Sequence, residues 1–290
     1  MEWERTKTIL IISFLVLNIF FVVQIWIVPS FLSASLYTSS EEIKATVSKL
    51  EERGISIETE IPRQLQRLSM IQFQLPEIEA RQVAEKLLGP EAVHVSTAVH
   101  PAPGHNLFRR TYREVTVYND GRISYQNTGI GVQPGGSKES ALQVAEEFIN
   151  STLGMPRDAQ LVEIVRHQGI WWVEFRQVWR HHDLHTSYLV FQISGDKVMS
   201  MDMYWLHPAS STGRKTLSIP ATGALLVVAD NLMPTTEIKE IYISWYSPPM
   251  MAETWRVPPV WVVETTAGER YYINAFTGEL EAVQEFPPLR

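Results

Sequence analysis

From Thr8 to Val28 the chain runs without a single charge, TILIISFLVLNIFFVVQIWIV. At about 1.5 Å per residue, a helix of that length reaches across a ~30 Å hydrocarbon layer. The stretch is predicted to span a membrane once. Trp3 and Trp26 flank it, where aromatic rings favour the headgroup zone, and Pro29 follows, where a missing N–H stops a helix. Arg5, Lys7 and the amino terminus precede the stretch, whereas the first basic residue after it is Lys44, behind Glu41 and Glu42. The bias of basic residues toward the cytoplasm then keeps residues 1-7 inside and places everything after the 8-28 anchor outside. A cleaved signal peptide is the alternative, since Ser33, Ala34 and Ser35 resemble a peptidase site. Against it, the apolar run exceeds the ~7 to 15 residues of a typical signal core. Either way the remainder is expected to be extracytoplasmic.

Glu2, Glu4, Arg5 and Lys7 cancel, so the net charge of −7 belongs to the outer part. An acidic domain argues against nucleic acid as a partner, because that affinity rests on clustered Lys and Arg. The absence of cysteine excludes a disulfide framework, thiolate metal sites and a cysteine nucleophile.

Ser39 and Glu42 have capping-box spacing ahead of Ile43, Val47 and Leu50, and Gly54 can end the helix. This gives a short helix within a 29-54 stalk. Ala80, Val83, Ala84, Leu87 and Leu88 form a second helical stripe, stopped by Gly89 and Pro90. Ser137 can cap a third, with Ala141, Val144, Ala145, Phe148 and Leu153 as its buried stripe. A fourth begins near Pro220 and runs through Leu225, Leu226 and Ala229. Between them lie β-branched and aromatic runs with hairpin turns at Asp120-Gly121, Gly195-Asp196 and Thr277-Gly278. The order implies an α+β class, helices packed on antiparallel sheets behind one amino-terminal transmembrane helix. Gln82-Val83-Ala84-Glu85 recurs as Gln143-Val144-Ala145-Glu146, which leaves a duplication open. The glycine-rich linker from Ile130 to Ser137 divides a membrane-proximal unit, 55-133, from a distal one, 134-290.

His181, His182 and His185, with Asp183 among them, resemble a zinc ligand set. They join two strand runs, however, and lack the helical frame and the base of a metalloprotease motif, so a solvated hairpin loop is expected. Gly131, Gly136, Ser137 and Lys138 approach a phosphate loop but in the wrong order. Thr212 and Lys215 have the spacing of a Lys-activated hydroxyl, inside a PASSTGRK segment that reads as loop. No catalytic, cofactor or metal residue is therefore expected, and the chain is not read as an enzyme. Most of the outer tryptophans, Trp171, Trp172, Trp179, Trp205, Trp245, Trp255 and Trp261, are expected in the core, with one or two free to anchor a partner.

The opening run Trp3-Glu-Arg-Thr-Lys-Thr-Ile-Leu-Ile, its continuation Phe14-Leu-Val-Leu-Asn18-Ile-Phe, and the closing Tyr271-Tyr-Ile-Asn-Ala-Phe-Thr-Gly278-Glu-Leu resemble the YycI family. The resemblance implies a single-pass cell-membrane regulator that works with a YycH-like protein in a hetero-oligomer. Its target would be the sensor histidine kinase YycG, also called WalK, which controls cell-wall metabolism in Gram-positive bacteria. It would act by binding and restraining the kinase, and its outer units would be YycH-like or PepSY-like. Membrane lipid would contact residues 8-28, and Asn18 is the expected helix–helix contact within the span. The rival reading is a PepSY-like extracytoplasmic inhibitor or folding aid for a peptidase.

Overall fold

The computed structural model describes residues 2–22, 36–95, 104–133 and 135–287. Helix α1 spans Glu2–Val22. Trp3 lies within it, whereas residues 23–28 of the apolar run, Trp26 included, fall outside the described residues. Among the described residues no helix is long and apolar enough to cross a membrane.

Helix α2 (Ser40–Glu52) starts where Ser39 Oγ accepts the Glu42 N–H at 3.1 Å. The Glu42 side chain does something else with its carboxylate. It accepts a 2.7 Å hydrogen bond from Thr222 on α5 (Ala221–Ala229), 180 residues away. With Leu50 fully buried, the helix of the 29-54 stretch is docked onto the fold.

The strands are β1 (Ser56–Ile57), β2 (Arg67–Gln74), β3 (Val93–His94), β4 (His105–Arg110), β5 (Arg113–Tyr118) and β6 (Arg122–Asn127). They continue with β7 (Ala159–His167), β8 (Ile170–Trp179), β9 (His182–Ser194), β10 (Lys197–Tyr204), β11 (His207–Leu217) and β12 (Glu237–Trp245). Last come β13 (Thr254–Val257), β14 (Pro259–Thr265), β15 (Glu269–Asn274) and β16 (Leu280–Glu285). Helices α3 (Ala80–Leu88) and α4 (Lys138–Ser151) complete the set. Thirteen strands form one mixed sheet in the order β16-β15-β14-β12-β9-β10-β6-β5-β4-β3, with β1 on β12, and with β7 reaching β9 through β8. Strand β9 joins its two halves: residues 188–194 pair with β10, while Leu184 meets Trp245 of β12.

Each half has its own core because each sheet face needs an apolar cover. On one half α3 and α4 lay Ala84, Leu88, Ala141, Ala145 and Ile149 over Phe108, Val115, Phe175, Phe191 and Met201. The repeated Gln-Val-Ala-Glu thus puts Ala84 and Ala145 at fully buried positions of a single core, which residues from both sides of the 130–137 linker share. On the other half α2, α5 and β2 cover Trp245, Trp261, Val263 and Ile273. The three expected turns are present, with Gly121, Gly195 and Gly278 all at positive φ.

The PASSTGRK segment is not a loop. It belongs to β11, which pairs with β2, and β13 flanks β2 on its other side to make a separate three-stranded sheet. Its small polar residues show no alternation because β11 is a largely exposed edge held by the backbone ladder. Gly268 turns β14 into β15 at φ +90°, and a Cβ there would meet the Phe286 carbonyl oxygen. Gly268→Ala is therefore expected to cost about 2 kcal/mol, read as a lowered thermal midpoint with the circular dichroism spectrum retained.

Candidate binding cleft

Strands β8, β14 and β15 are largely buried, yet each carries charge. Glu174 and Arg176 on β8, two residues apart, point to one face. Glu264 on β14 stands directly opposite Arg270 on β15, and Glu163 on β7 stands opposite Glu174. Folding brings these five residues together. Glu174 accepts from Arg176 at 2.9 and 3.3 Å and from Arg270 at 3.0 and 2.8 Å, with its side chain 5% exposed. Arg270 also reaches Glu264 at 3.1 Å and Glu163 at 3.3 Å.

The network continues through an imidazole. Arg176 Nη1 lies 2.7 Å from His185 Nε2, and His185 Nδ1 lies 3.0 Å from the Tyr272 hydroxyl. A guanidinium only donates, so Nε2 accepts and the imidazole proton sits on Nδ1, which donates to Tyr272. Tyr272 then donates to Gln284 at 2.9 Å, and Tyr242 donates to Glu264 at 2.7 Å. Burial, reinforced by Arg176 and Arg270, pushes the His185 pKa well below its usual value and keeps the ring neutral. Burial opposes the Glu174 charge, but the two guanidiniums outweigh it and hold the carboxyl below the usual carboxylate range.

Above this floor opens a cleft of about 550 Å³, with Glu163, Arg176, Tyr242, Glu264 and Arg270 in its wall. His181, His182, Asp183, Lys239 and Glu240 also line it. A cleft with both signs of charge and rigidly held donors suits a polar group presented by a partner.

The solvated-loop reading holds for His181 and is corrected for His182 and His185, which lie on strand β9. Trp179 pairs with His182 across a two-residue turn, Arg180-His181, whose φ values of 48° and 68° are those of a type I′ hairpin. His182 opens β9, and His185 is only 6% exposed. The turn is shorter than the cluster of polar letters suggests, because strand pairing resumes as soon as the chain reverses. Among the described residues no group of three His, Asp or Glu is arranged to hold a metal ion.

The near phosphate loop is structural. Ser137 caps α4 in a capping box with Ser140, and Gly131 and Gln133 are tied to Ser194 Oγ at 3.1 and 2.7 Å. Thr212 and Lys215 fall on β11. Trp172, Trp205, Trp245, Trp255 and Trp261 are buried. Asn18 donates to the Phe14 carbonyl of its own helix at 2.7 Å. The charge network was missed from the sequence: Glu174 and Arg176 in Trp172-Val-Glu174-Phe-Arg176 share one strand face, a period-2 pattern that a solvent-facing strand shows as well.

The family model described as YycI protein matches residues 34–276. The chain belongs to the YycI family. The YycI match takes in both cores and every residue of the charge network from Glu163 to Tyr272, leaving out α1 and β16. A comparison with curated proteins finds no match. Among solved structures, this YycI protein is similar to an uncharacterized protein from Eubacterium rectale at 12% identity and a TM-score of 0.49. That likeness covers 86% of this chain and 100% of the other. The Bacillus megaterium YpeB C-terminal domain is similar at 13% identity and a TM-score of 0.37, covering 73% of this chain and 98% of that one.

Proposed function

We propose that this YycI protein is a membrane-anchored extracytoplasmic regulator. It binds and restrains the sensor histidine kinase of the YycFG two-component system, together with a YycH-like partner. One observation carries the reading beyond family membership: the surface of α1. From Leu10 to Phe21 its large apolar side chains are 48–71% exposed, all round the helix. Such a cylinder needs lipid or other apolar helices around it. A tethered outer domain then meets the kinase in the plane of the membrane, and regulation needs no catalysis. It needs only tighter binding to one kinase conformation than to another, which shifts the population by that ratio of affinities.

The test replaces residues 8–28 with an unrelated apolar helix. Membrane retention should persist, because hydrophobic length decides insertion. Kinase output and co-purification with the YycH-like partner should change several-fold, the effect of two or three lipid-buried contacts of ~0.6 to 1 kcal/mol each. Asn18→Leu should act in the same direction and more weakly. Unchanged output and co-purification would place the regulatory contact wholly in the outer domain. A reporter active only outside the cytoplasm, fused after Arg290, checks the orientation, and activity of a cytoplasm-only reporter there would overturn it.

A further inference from the structure

The three-stranded sheet of β11, β2 and β13 is the electrostatic opposite of the domain that carries it. Its strands hold four cations, Arg67, Arg214, Lys215 and Arg256, and no carboxylate, in a chain of net charge −7. All four are exposed, and among the described residues none is in an ion pair. Arg256 stands across from Gln72 on β2, and Leu217 across from Arg67. The cations are scattered over 190 residues of sequence, so only the fold makes them a patch.

The segment around Leu36 and Tyr37, which follows the apolar stretch in the chain, pairs with the residues just ahead of β2. Leu65 N–H donates to the Leu36 carbonyl at 2.8 Å, two residues before Arg67, and Tyr37 bridges to Gln64. Leu36 and Tyr37 are 45% and 59% exposed, and Met70 on β2 is 37% exposed. From Val28 to Leu36 the chain reaches no more than about 28 Å at ~3.5 Å per residue. From Arg67 to Gln72 the patch extends about 17 Å along β2. A basic sheet flanked by exposed apolar side chains thus sits within a short tether of the span.

We propose that this face docks the outer domain on the membrane surface, with the four cations against anionic lipid headgroups and Leu36, Tyr37 and Met70 at the interface. The proposal rests on the anchor reading of 8–28. Docking of this kind orients the charged cleft relative to the bilayer and so selects which part of a neighbouring membrane protein it meets. Each basic side chain at an anionic surface favours docking about five-fold, and salt weakens it by screening.

The chain has no cysteine, so Ser210→Cys, an exposed position opposite Gln72, takes a single fluorophore. The full chain is reconstituted in vesicles of phosphatidylcholine, alone or with phosphatidylglycerol, whose headgroups carry an energy-transfer acceptor. Flotation with the vesicles is measured alongside. The expected result is flotation with both lipids, and transfer that is high only with phosphatidylglycerol and falls as salt rises. In the variant R67Q/R214Q/K215Q/R256Q the docked-to-undocked ratio should fall by roughly several-hundred-fold. Near-ultraviolet circular dichroism of the tryptophans checks that variant's fold, and the salt titration of the unaltered chain decides the matter if the variant is unfolded. Flotation with both lipids but transfer indifferent to headgroup charge overturns the docking and leaves the anchor standing, and assigns the cations to another acidic partner. Flotation only with phosphatidylglycerol, lost in the variant, upholds the docking and removes the anchor. Flotation with neither lipid overturns both.

Discussion

Glu174→Gln is expected to cost about 3–5 kcal/mol of folding stability, the range found when one member of a buried ion pair is removed. Glu174 is held by four hydrogen bonds from Arg176 and Arg270, and all three side chains are at most 6% exposed. Glutamine keeps the volume, so no cavity forms and the change isolates the charge. It leaves two buried guanidiniums facing an amide that must turn its NH₂ toward one of them, with Glu264, at 3.1 Å from Arg270 and 3.9 Å from Arg176, and the more exposed Glu163, at 3.3 Å from Arg270, as the carboxylates still close by. Urea unfolding should show a lowered midpoint with an unchanged slope. A loss below about 1 kcal/mol would mean that water or a rearranged Glu163 takes over the neutralising role. The acid limb follows from the same contacts. The folded-state pKa of Glu174 lies below its unfolded value of ~4.3. Its stabilisation is therefore fully present above that value and is lost as pH falls through the lower folded one.

His185→Ala is expected to cost about 3 kcal/mol at neutral pH, since it leaves Arg176 Nη1 and the buried Tyr272 hydroxyl short of a partner and opens a void. A second signature distinguishes it from ordinary truncation. The buried ring faces Arg176 on β8, Tyr242 on β12 and Tyr272 on β15, with Arg270 nearby. It resists protonation when folded, whereas in the unfolded chain it takes a proton near pH ~6.5. The unfolded state then binds more protons below that pH, so stability falls as pH falls, by about 1.4 kcal/mol per unit until the folded value is reached. His185→Gln should flatten this slope between pH ~6.5 and ~5.5. His181→Ala and His182→Ala should each shift stability by under about 1 kcal/mol. The larger of the two is expected at His182, which loses an edge contact to Trp245 with ring centroids 5.1 Å apart. Persistence of the full slope in the His185 variant would move the titration to another histidine.

What could be read locally was read from neighbours in the chain. The apolar run, the Ser39 and Ser137 caps, the stripes of α3 and α4, the start of α5 near Pro220, and the glycine turns each depend on residues within about one helical turn or one hairpin of each other. The burial of most tryptophans followed from their size alone. Strand β11 gave no such signal, because an edge strand of Ser, Thr, Gly, Arg and Lys is held by the partner backbone rather than by its own side chains.

By itself the sequence determined that this chain has an uncharged apolar run at one end, that α-helices alternate with antiparallel strands behind it, and where most of those elements turn. Only the tertiary structure decided which charges share a site. Glu174 and Arg270 are 96 residues apart and Arg270 and Glu163 107 apart, and the four cations of the small sheet are spread from Arg67 to Arg256. Strand register and burial, set by the whole core at once, bring such groups together. A pairing over that distance leaves no periodicity in the chain, and a buried arginine is spelled with the same letter as a solvated one.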